Sequence, residues 1–162
     1  MPRKLDRFDI ALLNLLQQDN LATADALAEK VALSPSAITR RIRRLRDEGF
    51  IAADVAVLAS LLADRRLRAF VQIQLNEHAQ EKGLAALRSR LAQADEVQLC
   101  LEVSGNFDLA LLVAARDMAA FNAFADAHLA GDPAVRRYET SFVKKQVKNA
   151  PMIRLDERDA EG

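Results

Sequence analysis

The sequence contains one cysteine, no tryptophan, one tyrosine, and only four prolines and five glycines. A lone thiol excludes an internal disulfide, and Cys100 lies in the apolar run 97–101, which is typical of a buried, inert strand residue. Scarce Pro and Gly, with 51% hydrophobic residues, exclude a fibrous repeat and a disordered chain. The composition is that of a soluble globular protein.

The sequence also has no apolar stretch near the roughly 18 residues that a membrane-spanning helix needs, and no apolar signal core at its N-terminus. It therefore predicts a cytoplasmic protein with no membrane partner. The two histidines, His78 and His128, are far apart, no metal-spaced cluster surrounds them, and no glycine-rich phosphate loop is present. We accordingly expect no catalytic residues, no metal site and no cofactor.

The net charge is zero, which argues against a protein that binds polyanions over its whole surface. The charge is nevertheless uneven, because residues 36–46 include five arginines and no acidic residue. A solvated basic helix would have the same composition, so the meaning of this run depends on its structural setting.

The N-terminal third has the pattern of three helices separated by short turns. Asp6 is a suitable cap for the first helix, which ends in the polar stretch 17–20. Thr23 is a suitable cap for the second helix, which is predicted to be about two and a half turns long and to stop at Leu33.

The third helix is predicted to begin at the cap Ser34, with Pro35 at the first helical position, and to end before Gly49. Its buried stripe consists of Ile38, Ile42 and Leu45. The next segment, Ile51 to Leu58, is predicted to be a strand that forms a wing or a connection. Two helices joined by a tight turn, the second of them basic, predict a winged helix-turn-helix over residues 1–58.

The polar side chains of the third helix then point outward or lie on its flanks. Arginine can bond a guanine edge or a phosphate with its planar fork, and hydroxyl groups can donate to phosphates. Because recognition helices present their first turns to base edges, the predicted base-reading residues are Ser36, Thr39 and Arg40. The predicted phosphate contacts are Arg41, Arg43 and Arg44. Thr23 and Ser34 are predicted to contact DNA in addition to capping their helices.

Residues 59–66 have no clear period and are predicted to be a linker to a second domain over residues 67–150. The predicted strands of this domain are 69–75, 97–103, 107–114 and 135–147, and the predicted helices are 81–93 and the segment capped by Asp117. This βαββαβ order is the ferredoxin-like arrangement, with both helices on one face of an antiparallel sheet, so the fold class is α+β. An open sheet face often pairs with another copy. Residues 151–162 are predicted to be a frayed, solvated tail.

Several residue strings in both domains carry a family resemblance. In the first domain they are Leu5-Asp6-x-x-Asp9, Leu27-Ala28 to Leu33-Ser34-x-Ser36, and Arg41-Ile42-x-x-Leu45-x-x-x-Gly49-x-Ile51. In the second domain they are Val103-x-Gly105-x-x-Asp108 and Val143-x-x-x-Val147-Lys148. In this order and spacing, over nearly the whole chain, they resemble the leucine-responsive and asparagine-responsive regulators, the Lrp/AsnC family. The chain departs from the family in two places: Leu61 to Leu67, in the linker, lacks the usual glycine, and Gly49 to Asp54 lacks the basic residues often found near the wing.

The resemblance implies a transcriptional regulator in which a winged helix-turn-helix is joined to a ligand-regulated αβ-sandwich. It implies dimers that pair through their sheets and often assemble into octamers, with an amino acid or a related small molecule bound where dimers meet. The implied docking turn consists of Gly105, Asn106, Phe107 and Asp108, with backbone amides for the carboxylate of the effector and Asp108 for its ammonium group. A plain hairpin would explain Gly105 and Asn106 but not Asp108.

Other effector-responsive positions of the family match Met118, Thr140, Ser141 and Phe142, although a helical methionine is equally typical of a core. Two alternatives remain at this point. Sirohaem decarboxylases resemble the same two-domain fold, but they need cationic and imidazole groups around a tetrapyrrole, for which two scattered histidines are a poor match. A ligand-sensing oligomer without DNA binding is the other alternative, and the intact arginine run argues against it.

Overall fold

The computed structural model describes residues 4–77 and 80–160, so His78, for which no metal or catalytic role is predicted, falls outside the described residues. Two compact units are present. The first comprises the chain up to Val57 together with the residues from Lys148 onward, and the second comprises Leu58 to Val147. None of the helices in the described part of the chain is long and apolar enough to span a membrane.

The first unit contains three helices, α1 (Arg7–Leu16), α2 (Ala24–Ala28) and α3 (Pro35–Asp47). The three predicted caps are confirmed, because the side chains of Asp6, Thr23 and Ser34 accept backbone N–H groups from the first turns. Gly49 has a φ of +78°, as predicted for the residue that ends α3. The buried stripe of α3 is confirmed, and the shared core consists of Leu12, Leu16, Leu27, Val31, Ile38 and Ile42.

Two predictions for this unit are wrong in extent. Helix α2 ends at Ala28 rather than Leu33, because the backbone bonds tighten after it: Lys30 N–H bonds three residues back to Leu27, and Leu33 N–H bonds only two residues back to Val31. The predicted strand over Ile51 to Leu58 is absent, because residues 52–58 are exposed and have no ladder partner among the described residues. A strand without a partner leaves its backbone groups to solvent.

The C-terminal segment is held on α1, so the prediction of a frayed tail is wrong. Asn14 Nδ2 donates to the carbonyl of Leu155 at 2.9 Å, and its Oδ1 accepts the Leu155 N–H at 3.0 Å. Gln17 makes the same pair of bonds with Ile153, at 2.9 and 2.8 Å. The side-chain amides of Asn14 and Gln17 thus form the backbone hydrogen bonds that a neighbouring strand would otherwise form. Most side chains of the segment are exposed.

The second unit is a four-stranded antiparallel sheet with two helices and a short leading turn. Its elements are α4 (Ser60–Ala63), β1 (Leu67–Leu75), α5 (Glu81–Gln93), β2 (Val97–Glu102), β3 (Leu109–Ala115), α6 (Met118–His128) and β4 (Val135–Phe142). The strand order β2-β3-β1-β4 confirms the predicted βαββαβ arrangement.

The ends of some elements differ from the predictions. Strand β4 stops at Phe142 rather than near Val147, because its partner β1 begins at Leu67 and offers only one more backbone bond, from Val143 N–H to the Arg68 carbonyl. Strands β2 and β3 are also shorter at the turn that joins them, and the predicted linker contains α4.

One face of the sheet carries the core of this unit and the other is open within the unit. Helices α5 and α6 cover Val71, Ile73, Leu111 and Val113 with Leu87, Leu91, Phe121 and Phe124. The opposite face exposes Phe70, Leu99 and Leu101 by 39%, 45% and 46%. An exposed apolar patch of this kind is typical of a surface that another molecule covers.

Candidate functional site

Helix α3 presents an exposed row of polar side chains on the side away from its buried stripe. Ser36, Thr39, Arg40 and Arg43 are all exposed. Arg43 is 84% exposed and its Nε lies 3.7 Å from Asp47, a loose surface pair. Within residues 4–77 and 80–160, Arg40 forms no ion pair. The two guanidinium groups are therefore accessible to a macromolecule that approaches α3.

The hydroxyl groups near the helix starts are partly used by the fold. Ser34 Oγ accepts the N–H of Ala37 at 3.3 Å, and Thr39 Oγ1 donates to the carbonyl of Pro35 at 3.0 Å. Thr39 thus keeps its methyl group and its oxygen lone pairs for a base edge, but not its proton. Thr23 accepts the N–H at the start of α2 and keeps its proton free to donate.

The other two arginines of the middle of α3 have partners within the protein. Arg41 Nη1 lies 2.8 Å from Asp6 Oδ2 and 2.8 Å from Asp9 Oδ1. Arg44 Nη2 lies 2.6 Å from Asp9 Oδ2, and its other terminal nitrogen lies 3.9 Å from Glu48. The phosphate contacts predicted for Arg41 and Arg44 stay predictions, and they compete with these ion pairs.

Acidic side chains near the start of α1 lie against arginine side chains of α3. Partial burial by itself raises the pKa of Asp6, but hydrogen bonds from the Asp9 N–H and from Arg41 outweigh it and hold that pKa below its usual value. Burial likewise lowers the pKa of Arg41, and its bonds to Asp9 and Asp6 more than offset this and raise it. A cleft of about 340 Å³ here is lined by Lys4, Asp6, Asp9, Arg40, Arg41 and Arg44.

The last arginine of α3 ties the helix to the segment that follows it, which the sequence did not reveal. Arg46 Nε donates to Asp54 Oδ2 at 2.8 Å, and Nη2 lies 3.2 Å from Asp54 Oδ1. The hydrogen bond from Arg46 holds the pKa of Asp54 below its usual range. Asp54 follows Arg46 by eight residues and lies beyond Gly49, so neither helical nor strand periodicity in the sequence indicates this contact.

In the second unit, the turn between β2 and β3 has a role in the sheet. Gly105 has a φ of +140°, which suits glycine. Asp108 Oδ2 accepts the N–H of Leu75 at 2.7 Å, where the pairing of β1 with β4 shifts between Gln74 and Leu75. The Asp108 carboxylate therefore accepts the Leu75 N–H, which the backbone pairing of the sheet leaves without an acceptor. This explains an acid ahead of an apolar strand without any ligand.

A cation lies beside this turn and was missed by sequence reasoning. The Arg137 guanidinium carbon is 5.2 Å from the centre of the Phe107 ring, and its Nε donates to Gln74 Oε1 at 2.8 Å. Its Nη1 lies 2.6 Å from Glu139. A charged group at the edge of the docking turn is a second candidate for contact with the carboxylate of an effector.

Of the remaining effector candidates, Met118 and Phe142 lie at the opposite end of the sheet, whereas Thr140 pairs with Val71 in the middle of β1. Phe142 pairs with Ala69 of β1, whereas the N–H of Asp108 bonds to the carbonyl of Ile73. Ala69 and Ile73 are four residue steps apart, about 13 Å along the strand. Met118 is 47% exposed at the start of α6, so it is not a core residue. Within one chain, Met118 and Phe142 are thus kept apart from the turn that contains Asp108.

Comparison with known proteins covers both units. Residues 5–52 match the family described as "Winged helix-turn-helix DNA-binding", and residues 68–153 match the family described as "Lrp/AsnC ligand binding domain". An HTH-type transcriptional regulator of Haemophilus influenzae is 37% identical over 147 residues, which cover 89% of this chain and 85% of that protein. The leucine-responsive regulatory protein of Escherichia coli (strain K12) is 33% identical over 156 residues, which cover 96% and 94%.

Solved structures show the same similarity. A transcriptional regulator of Neisseria meningitidis, crystallised as a complex with L-Met, has a TM-score of 0.81 at 30% identity and covers 92% of this chain and 96% of its own. An AsnC family transcriptional regulator of Agrobacterium tumefaciens has a TM-score of 0.79 at 31% identity, with the same two coverages.

Proposed function

Because the chain belongs to the Lrp/AsnC family of transcriptional regulators, we propose that it binds duplex DNA through the exposed side of α3 and that an amino acid bound to its second unit modulates this binding. The observation that carries the DNA-binding surface is the exposed row of Ser36, Thr39, Arg40 and Arg43 on a capped helix. Within this row, Ser36, Thr39 and Arg40 lie nearest the start of α3 and read bases, while Arg43 holds phosphate.

Electrophoretic shift assays at graded salt, with duplex from the promoter of its own gene, test this surface. Arg40→Ala is expected to weaken binding about tenfold or more, because a base-reading arginine discriminates by about 1–3 kcal/mol. Arg43→Ala is expected to weaken binding to all sequences and to reduce the slope of log affinity against log salt by about one.

Arg116→Ala is the matched control, since Arg116 is an exposed arginine of the second unit and is expected to leave affinity and slope unchanged. If Arg40→Ala and Arg43→Ala behave like this control, α3 is not the DNA-binding surface. A wild-type protein that binds no DNA at any salt concentration would favour the ligand-sensing oligomer instead.

The effector site is proposed to form between copies of the chain. Of the two sets of candidates, 105–108 lies at one end of the sheet and Met118 with Phe142 at the other, whereas Ser141 and Thr140 pair with Phe70 and Val71 between these ends. A ligand as small as an amino acid cannot span about 13 Å, so a site that uses both sets takes them from different copies. The complex of the Neisseria meningitidis regulator with L-Met makes methionine the first effector to test.

The assembly is proposed to begin with a homodimer that covers the open sheet face, with higher oligomers up to an octamer built from such dimers. Phe70, Leu99 and Leu101 supply exposed apolar area on that face. Symmetric dimers commonly form when the same surface of two copies meets, because a self-complementary patch then buries itself. Two copies also present two α3 helices to one duplex.

The decarboxylase alternative is separable by a simple titration. His128 stacks against Phe124, with ring centres 5.0 Å apart, so its imidazole is engaged with α6. A change in the absorbance of sirohaem on addition of the protein would support this alternative, and the DNA proposal predicts none.

A further inference from the structure

Asp9 is the only buried charged side chain in the part of the chain that the structure describes, with 1% exposure. Its Oδ1 lies 2.8 Å from Arg41 Nη1, and its Oδ2 lies 2.6 Å from Arg44 Nη2 and accepts the Asp6 N–H at 3.0 Å. One carboxylate on α1 therefore holds two arginines of α3.

The contacts of these two arginines are those of a fixed pair rather than a loose surface pair. Arg41 and Arg44 are three residues apart, so they share one side of α3, and their side chains are only 25% and 21% exposed. Arg41 also lies over the ring of Phe8, with its guanidinium carbon 5.6 Å from the ring centre. A buried carboxylate without its partners would be costly, so the ion pairs strongly favour this arrangement.

We propose that Asp9 is a positioning residue that sets the DNA specificity of α3, an inference that rests on the proposed function. It fixes the rotation of α3 about its axis, so that Thr39 and Arg40 meet base edges in one geometry. It also withholds Arg41 and Arg44 from phosphates, which carry no sequence information. Base readout requires placement to within about 0.5 Å, which a packed, hydrogen-bonded support provides.

The direction of the change in DNA affinity when Asp9 is replaced distinguishes a positioning role from a purely electrostatic one. Removal of an acid near a DNA-binding helix ordinarily strengthens binding to every sequence, because one repulsive charge is lost. A positioning role predicts instead that Asp9→Asn weakens binding to the operator and strengthens binding to unrelated DNA through the released arginines. A merely structural role would reduce the active fraction and leave both the specificity ratio and the salt slope unchanged.

Full-length Asp9→Asn is therefore compared with wild type on promoter duplex and on a scrambled duplex, over graded salt. The ratio of the two affinities is expected to fall about tenfold or more, and the salt slope on scrambled DNA to steepen by about one to two phosphate contacts. Asp47→Asn is the matched control, because Asp47 is a 69% exposed acid on α3 itself. It is expected to strengthen both affinities and leave their ratio unchanged.

A second variant decides the matter if circular dichroism shows that Asp9→Asn does not fold. Arg44→Gln keeps the pair between Arg41 and Asp9, and it is expected to leave the salt slope of the wild type unchanged. A slope reduced by about one would place Arg44 on phosphate and overturn the inference. An unchanged specificity ratio in a folded Asp9→Asn would overturn it as well. Wild type without salt-dependent DNA binding would instead refute the proposed function.

Discussion

A single carboxylate in the second unit has an observed role in the sheet and a proposed role toward a ligand. Asp108 accepts the Leu75 N–H at 2.7 Å, which is sufficient reason for an acid at this position. Contact with an effector ammonium group is the proposed second role. Asp108→Asn distinguishes the two roles, because the amide that replaces the carboxylate keeps an acceptor oxygen but loses the negative charge.

Asp108→Asn is expected to retain most of the stability of the second unit and to lose the response to an effector. Asp108→Ala is expected to lower the free energy of unfolding by about 1 kcal/mol, because Leu75 N–H then loses its protein acceptor. Urea denaturation measures the stability, and thermal-shift assays with L-Met and other amino acids measure the response.

A ligand at a hundred times its Kd adds about 2.7 kcal/mol to wild-type stability. If an amino acid stabilises wild type and Asp108→Asn equally, Asp108 does not bind the ammonium group. If Asp108→Ala unfolds at the same urea concentration as wild type, the bond to Leu75 has no structural importance.

At the scale of elements, the cap of α1 is also part of its contact with α3, since Asp6 both caps the helix and pairs with Arg41. Its pKa in the folded protein lies below the ordinary 3.8. A depressed pKa contributes stability that is present above the ordinary value and is lost as the pH falls through the folded one. Acid should therefore loosen the DNA-binding unit.

Thermal melts of the wild type and of Asp6→Asn, from about pH 5 to about pH 3, test this expectation. Asparagine also caps helices but cannot titrate, so the variant should lose less stability over this interval than the wild type. Identical pH dependence in the two proteins would show that Asp6 does not contribute. Asp25→Asn is a suitable control, because Asp25 is an exposed acid in the first turn of α2 and forms no ion pair within the described part of the chain.

At the scale of the whole molecule, the proposed homodimer forms through the open sheet face. Leu101→Glu places a charge among the exposed apolar residues of that face and is expected to shift the protein towards its monomer mass of 17.9 kDa. Ala85→Glu, on the exposed side of α5, is the control and should leave the assembly intact. Sedimentation velocity measures both, and an unchanged sedimentation coefficient for Leu101→Glu would exclude this face as the dimer interface.

The sequence by itself determined the features that depend on neighbours a few residues away. The caps at Asp6, Thr23 and Ser34, the buried stripe of α3 and the order of strands and helices follow from local hydrogen bonds and from the period of apolar residues. The ends of β4 and α2 did not, because a strand ends where its partner ends and α2 ends where its backbone bonds change to tighter turns.

Only the tertiary structure decided which arginines of α3 are accessible. Arg40 and Arg43 are exposed, whereas Arg41 and Arg44 contact Asp9, more than thirty residues earlier in the chain. The composition of the run 36–46 does not distinguish these two pairs of arginines. The same holds for the tail on α1 and for the separation of the effector candidates. Each depends on how helices and strands pack at long range, where periodicity and capping carry no information.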